Sequence, residues 1–220
     1  MLYLLAALIL AALEALALWK NIRWLEFIAK PTVMVFLFIY LWTSTQLMGA
    51  ALWFGIGILF SLTGDVFLLW LDRFFLAGLV AFLLAHLSYL TGFNTPPSPL
   101  NLWALLLALI VGLGGVRVLR RILVALVQKG QARLRIPVTI YAMVISLMLL
   151  SAMLKLTDMG WNAGASLLVA AGAFLFYLSD IILAWNQFVA PIPHGRILNI
   201  SCYHLGQILL IVGAAMQYSG

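Results

Sequence analysis

Two aspartates, Asp65 and Asp180, stand inside hydrophobic stretches that otherwise read as membrane helices. Their surroundings match: Gly64-Asp65-Val66-Phe67-Leu68-Leu69-Trp70 and Ser179-Asp180-Ile181-Ile182-Leu183-Ala184-Trp185 carry Asp, Leu and Trp at the same offsets. A carboxyl group inside hydrocarbon is costly and usually marks a functional position. Two of them brought together in a low dielectric would share one proton near neutral pH, because both cannot ionise cheaply. One carboxylic acid beside one carboxylate is the equipment of general acid–base catalysis.

The elements that must position these groups follow from composition. The chain has 220 residues, of which 66% are hydrophobic and 8% charged, and its mean hydropathy is +1.17. So few charges cannot clothe a soluble domain of this size. The expected fold class is all-α: a single polytopic membrane domain, residues 1–220, with no soluble domain beside it. The net charge of +6 then reports topology and contact with anionic lipid, and no nucleic-acid partner is expected. The single cysteine, Cys202, reads as a small core residue. The apolar N-terminus lacks a basic n-region and reads as a first membrane helix, not a removed signal.

Breaks at charges, Pro and Gly give eight spans of the length a bilayer requires. They run Leu2–Trp19, Pro31–Leu47, Ala50–Leu71, Phe74–Leu90, Leu100–Val118, Pro137–Leu154, Asn162–Leu183 and Ile197–Gln217. Lys and Arg concentrate in the segments after spans one, three, five and seven, and only Lys155 falls on the other side. The positive-inside rule puts those segments in the cytoplasm and both termini on the non-cytoplasmic side. The outer loop Thr91–Asn101, with Pro96, Pro97 and Pro99, carries no charge. Arg117 to Arg135 reads as a snorkelling helix end followed by an interfacial segment. In a bacterium this would be an inner-membrane protein.

Four spans separate the two Asp motifs, and Pro31 and Pro137 open spans two and six. That pattern fits a parallel four-plus-four repeat about an axis along the membrane normal. Asp65 lies six residues, and Asp180 three, before the cytoplasmic ends of their spans. At about 1.5 Å per residue both sit in the cytoplasmic half, at similar depth. Other polar groups converge there by the same reckoning. Lys30 is at the start of span two and Tyr141 is one turn into span six. Ser61 is one turn above Asp65, and Ser179 adjoins Asp180. Tyr203, His204 and Gln207 follow in the early turns of span eight. Glu14 is a further intramembrane carboxyl, expected to pair with Lys20 or Arg23 at the rim. His194 reads as a loop residue. His86 and Tyr89, counted from Phe74, fall in the outer half, apart from Asp65.

These residues together resemble the YhhN-like lysoplasmalogenase family of eight-span membrane proteins. The resembling segments are Lys30-Pro31, Leu62 to Leu68, Phe75 to Phe82 running into Ala85-His86-Leu87-Ser88-Tyr89, Pro137 with Tyr141, Tyr177-Leu178-Ser179-Asp180, and Tyr203 with Gly206-Gln207. His204 departs from the pattern, which has an aromatic or small residue after the tyrosine. The resemblance implies a lysophospholipid substrate, hydrolysis of its vinyl-ether bond to a fatty aldehyde and glycerophosphoethanolamine or glycerophosphocholine, and no metal or organic cofactor.

That reaction suits the residues. Vinyl ethers hydrolyse by protonation on carbon, leaving an oxocarbenium ion that water captures. The needs resemble those of glycoside hydrolysis: one carboxylic acid and one carboxylate. Asp65 and Asp180 are the expected catalytic pair, without assignment of which is the acid. Tyr141 and Tyr203 would orient them. Lys30 would hold the phosphate as a point charge, with His86 and Tyr89 along the cavity for the alkenyl chain. Two other classes use the same features. A zinc-dependent intramembrane amidase could draw ligands from His86, His204 and an aspartate. A non-enzymatic proton-coupled lipid carrier could also use buried carboxyls.

Overall fold

The computed structural model describes residues 1–97 and 101–219, so Pro99 of the expected outer loop and the expected start of span five at Leu100 lie outside the described residues. Eight helices long and apolar enough to cross a membrane account for nearly all of the chain. They are α1 (Leu2–Lys20), α2 (Arg23–Thr45), α3 (Ala51–Leu68), α4 (Leu71–Phe93), α5 (Leu102–Gln128), α6 (Arg135–Leu154), α7 (Ala163–Ala184) and α8 (Gly195–Tyr218). There is no strand among the described residues. The chain is an all-α, multi-pass integral membrane protein.

Three helix bounds change the placement of functional residues. Helix α2 starts at Arg23, not Pro31, so Pro31 lies inside the helix. Lys30 therefore sits seven residues into α2, about 10 Å from its start, instead of at the rim. Proline removes one backbone hydrogen bond there, and the hydroxyl of Thr32 donates to the carbonyl of Ile28 across the same turn. Helix α5 runs ten residues beyond Val118 to Gln128. Its Ile122 and Leu126 pack with Val138 and Phe188, so Arg117, Arg120 and Arg121 stand on a continuous helix, while Lys129 and Arg133 follow in the connection to α6. Helix α7 does not stop near Leu183: a wider, π-type turn over Trp185–Val189 continues it.

That last change reverses the order of the two distances to the helix end. Asp65 lies three residues before the end of α3, about 5 Å, whereas Asp180 lies nine residues before Val189, about 13 Å. Asp180 is the farther of the two from the end of its helix.

Close helix packing is concentrated in two pairs, α3 with α4 and α7 with α8. Small residues make it possible. A Cβ on Gly172 would come 2.5 Å from the backbone nitrogen of Leu210, and one on Gly206 would come 2.8 Å from that of Phe176. In α3 the Cβ missing from Gly64 leaves room for the ring of Phe82, whose Cε2 stands 2.6 Å from where that Cβ would be. The glycine before Asp65 is thus what lets Phe82 press against the helix that carries the carboxylate. One end of the bundle closes on aromatic contacts: Trp161 meets Phe93 at 6.1 Å and Tyr218 at 5.7 Å. At the other end the connections α1–α2, α3–α4 and α7–α8 surround an open vestibule. Cys202 is half-buried on α8 and is not a core residue.

Candidate active site

Asp180 belongs to a three-residue cluster built by α4, α6 and α7. The Tyr141 hydroxyl donates to Asp180 Oδ2 at 2.6 Å. His86 Nε2 lies 2.9 Å from the Tyr141 oxygen and 3.2 Å from the same Oδ2. With Tyr141 donating to the carboxylate, the network assigns the His86 proton to Nε2, and the buried Nδ1 has no partner. His86 is completely buried, packed at 4.6 Å against Phe176, while the Asp180 side chain keeps 15% exposure. That exposure faces an apolar cleft between α4, α5, α6 and α7, walled by Phe75, Phe82, Leu119, Ile145 and Tyr177.

His86, expected apart from the aspartates, is therefore a direct partner of one of them. Helix α4 keeps His86 well inside its own span, between Leu71 and Phe93. It was the position of Asp180 that moved, because α7 is longer than its hydrophobic run suggests.

Asp65 belongs to a second cluster built by α2, α3 and α8. The Tyr203 hydroxyl donates to Asp65 Oδ2 at 2.7 Å, and Lys30 Nζ stands 3.6 Å from Oδ1. Asp65 is completely buried, and its Oδ1 has no hydrogen-bond partner. Among the described residues no hydrogen bond or ion pair joins the two aspartates. The rings of Phe82, Phe176 and Tyr203 pack together between the clusters, with centroids 5.3 to 6.0 Å apart.

The remaining expected residues fall into supporting contacts. Gln207 accepts from the Tyr89 hydroxyl and donates to Ser61 Oγ, both at 2.8 Å. This fully buried chain ties α3, α4 and α8 together, away from the cleft. Ser179 Oγ donates to its own helix at the Phe176 carbonyl, and the Ser179 carbonyl accepts from Asn199 at 2.7 Å. His204 bonds Glu14, and both are buried. The expected rim pairing of Glu14 with Lys20 or Arg23 is thus replaced by a bond in the core. A zinc set from His86, His204 and an aspartate is not assembled, since the two histidines serve different carboxyls. No three His, Cys, Asp or Glu side chains converge on a metal position among the described residues.

Sequence reasoning missed Phe82 and Phe176, the aromatic wall, whose types are indistinguishable from ordinary core. It also missed Glu26 and Arg196, which form an ion pair at 2.7 Å beside the vestibule at the open end of the bundle. Leu68 and Leu183 line both the vestibule and the apolar cleft. A Glu26–Arg196 pair spans 170 residues of sequence, and no local pattern announces it.

An eight-helix membrane protein with two intramembrane carboxyl clusters, one of them open to an apolar cleft, is the class that fold and site define. The chain belongs to the YhhN family, whose pattern matches residues 25–214. It is similar to lysoplasmalogenase TMEM86B of Mus musculus, 32% identical over 96% of this chain and 85% of the relative. It is also similar to lysoplasmalogenase TMEM86B of Homo sapiens, 29% identical over 94% and 84% respectively. To lysoplasmalogenase TMEM86A of Homo sapiens it is 32% identical over 72% of this chain and 63% of the relative. No solved structure matches the chain.

Proposed function

We propose that this protein hydrolyses the vinyl-ether bond of lysoplasmalogens, releasing a fatty aldehyde and glycerophosphoethanolamine or glycerophosphocholine. The relatives named lysoplasmalogenase support the reaction. The observation that carries the residue assignment is Asp180, held by Tyr141 and His86 at the wall of an apolar cleft.

In this reading the alkenyl chain occupies the cleft. Asp180 Oδ2 is engaged by Tyr141 and His86, which leaves Oδ1 to carry the reacting proton. The acid form transfers that proton to the alkene carbon remote from oxygen. The resulting oxocarbenium ion is stabilised by the carboxylate left behind. Water adds to the oxygen-bearing carbon and loses a proton to the Asp180 carboxylate, which His86 Nε2–H and Tyr141 hold in place. The hemiacetal then collapses: the carbon–oxygen bond to glycerol breaks, a proton goes to the glycerol oxygen, and the aldehyde leaves. One water is consumed.

Asp65 plays a different part from the shared-proton partner expected of it. It is the counter-charge for Lys30 and is set apart from Asp180 by the aromatic wall, so the two carboxyls work from separate environments. Lys30 lines the vestibule and holds the substrate phosphate there. Basic-residue distribution puts the vestibule at the cytoplasmic end and both termini outside.

The test is aldehyde release by the purified protein from lysoplasmalogen, with saturated-ether and ester lysolipids as controls. Release from the vinyl ether alone supports the reading. Equal attack on the ester, or no release from the vinyl ether, rejects it.

A further inference from the structure

The vestibule is a built polar site, and its charges come from elements far apart in sequence. It has a volume of about 590 Å³ and is lined by Lys30 and Glu26 of α2, Arg196 and Asn199 of α8, and Asn186 of the turn continuing α7. Two features of it call for a ligand. First, Lys30 is nine-tenths buried, yet its nearest carboxylate oxygen is 3.6 Å away, beyond hydrogen-bonding distance. An ammonium has three donors, and Nζ of Lys30 forms no hydrogen bond among the described residues. Second, an ion pair on its wall is easily opened. Arg196 donates to Glu26 Oε1 at 2.7 Å, but the Arg196 side chain is 69% exposed, and exposed pairs contribute little to stability.

We infer that the vestibule binds a zwitterionic phosphodiester headgroup, with its phosphate between Lys30 and Arg196 and its cationic end on Glu26. The inference deepens the proposed function and rests on it for the identity of the attached chain. The Arg196–Glu26 pair exchanges for two new pairs, Arg196 with phosphate and Glu26 with ammonium, so no charge is left without a counter-charge. A bare phosphate would leave Glu26 facing an anion, which is why the ligand carries both signs. Leu68 and Leu183 are shared with the apolar cleft, so one amphiphile can place its head in the vestibule and its chain in the cleft. Its glycerol then passes between those two leucines. Asp180 lies three residues before Leu183, about one helical turn, where the first bond of the chain would arrive.

Calorimetric titration of the purified full-length protein with glycerophosphoethanolamine reads this site without any turnover. Glycerol 3-phosphate and inorganic phosphate form the other arms. Glycerophosphoethanolamine is expected to bind most tightly. Arg196→Gln and Glu26→Gln should each weaken it on the order of tenfold, the effect of one charged contact, and Glu26→Gln should not weaken inorganic phosphate. A double variant, Glu26→Arg with Arg196→Glu, keeps a pair for folding but reverses its polarity, and should lose glycerophosphoethanolamine binding. Unchanged affinity in the single variants, or binding retained by the reversed pair, overturns the proposal. So does inorganic phosphate binding as tightly as glycerophosphoethanolamine. Because hydrolysis is not measured, failure of the vinyl-ether assignment and failure of this site are separately visible.

Discussion

Asp65 and Asp180 are held in equivalent ways by non-equivalent residues. Each accepts a tyrosine hydroxyl at 2.6 to 2.7 Å, Tyr203 for Asp65 and Tyr141 for Asp180. Each has one partner on the helix preceding its own, Lys30 on α2 or Tyr141 on α6. The other comes from the last helix of the opposite four, Tyr203 on α8 or His86 on α4. Eight residues before each aspartate stands a glycine, Gly57 or Gly172, against which the next helix packs. The correspondence is one of position, and the two clusters differ in what completes them. One carries a lysine that reaches the vestibule beside a sealed Asp65; the other carries a histidine, and its aspartate opens to the cleft.

The divergence gives the two Asp→Asn variants different phenotypes. Asp180→Asn keeps the shape, still accepts from Tyr141, and should fold normally. Loss of the acid should lower the rate of aldehyde release by about 10²–10⁴-fold. Activity within tenfold of the parent would remove Asp180 from the mechanism.

Asp65→Asn strips Lys30 of its counter-charge in a buried place. Breaking a buried pair from one side typically costs about 3–5 kcal/mol, so this variant should melt earlier in detergent than Asp180→Asn. Adding Lys30→Met should restore most of the lost melting temperature, because the uncompensated charge goes with it. Lack of recovery would mean that Lys30 does not rely on Asp65.

Much of this was legible in the sequence for a physical reason: charge is so scarce in the chain that each intramembrane polar residue stands out. The eight spans, and the choice of Tyr141, Tyr203 and Lys30 as neighbours of the two aspartates, follow from that scarcity. What stayed hidden depended on helix ends. Hydropathy registers where apolar residues stop, and α7 continues through Trp185-Asn186-Gln187, which are polar enough to look like a loop. That error put Asp180 near the rim and made His86 seem remote. Phe82 and Phe176 stayed hidden for the opposite reason, since an aromatic ring in a membrane helix is unremarkable until its neighbours are known.

Tyr141 touches both Asp180 and His86, so Tyr141→Phe should act on chemistry more than on binding. The hydroxyl lost is one that orients the carboxyl group. A fall in kcat of about tenfold or more with KM nearly unchanged is the pattern of an interaction made only in the transition state. Steady-state kinetics with lysoplasmalogen checks it, and a pure KM effect would place Tyr141 on the substrate instead.

Glu14 and His204 form the buried pair that neither cluster uses. Glu14→Ala leaves the His204 ring unpaired in the core, with both nitrogens lacking acceptors or donors, since Nδ1 already has none. An unsatisfied buried group costs about 1–3 kcal/mol, read as a lower melting temperature. Replacing both partners together, Glu14→Leu with His204→Phe, should recover stability and leave the Asp180 chemistry intact.

The apolar cleft makes a prediction about chain length. Ala142 lies on its wall, beside Tyr141 and Ile145, on the face that looks toward α5. Ala142→Trp would fill part of the cleft proposed for the alkenyl chain while leaving the Asp180, Tyr141 and His86 side chains in place. Long-chain lysoplasmalogens should then lose kcat/KM relative to short-chain ones, through KM, while a short-chain substrate keeps its kcat. The contrast between chain lengths is what matters, since a general loss would only report misfolding. If long and short chains were affected equally in a protein of normal melting temperature, the chain would have to lie elsewhere. The exposure of Asp180 into this cleft would then lose its place in the mechanism.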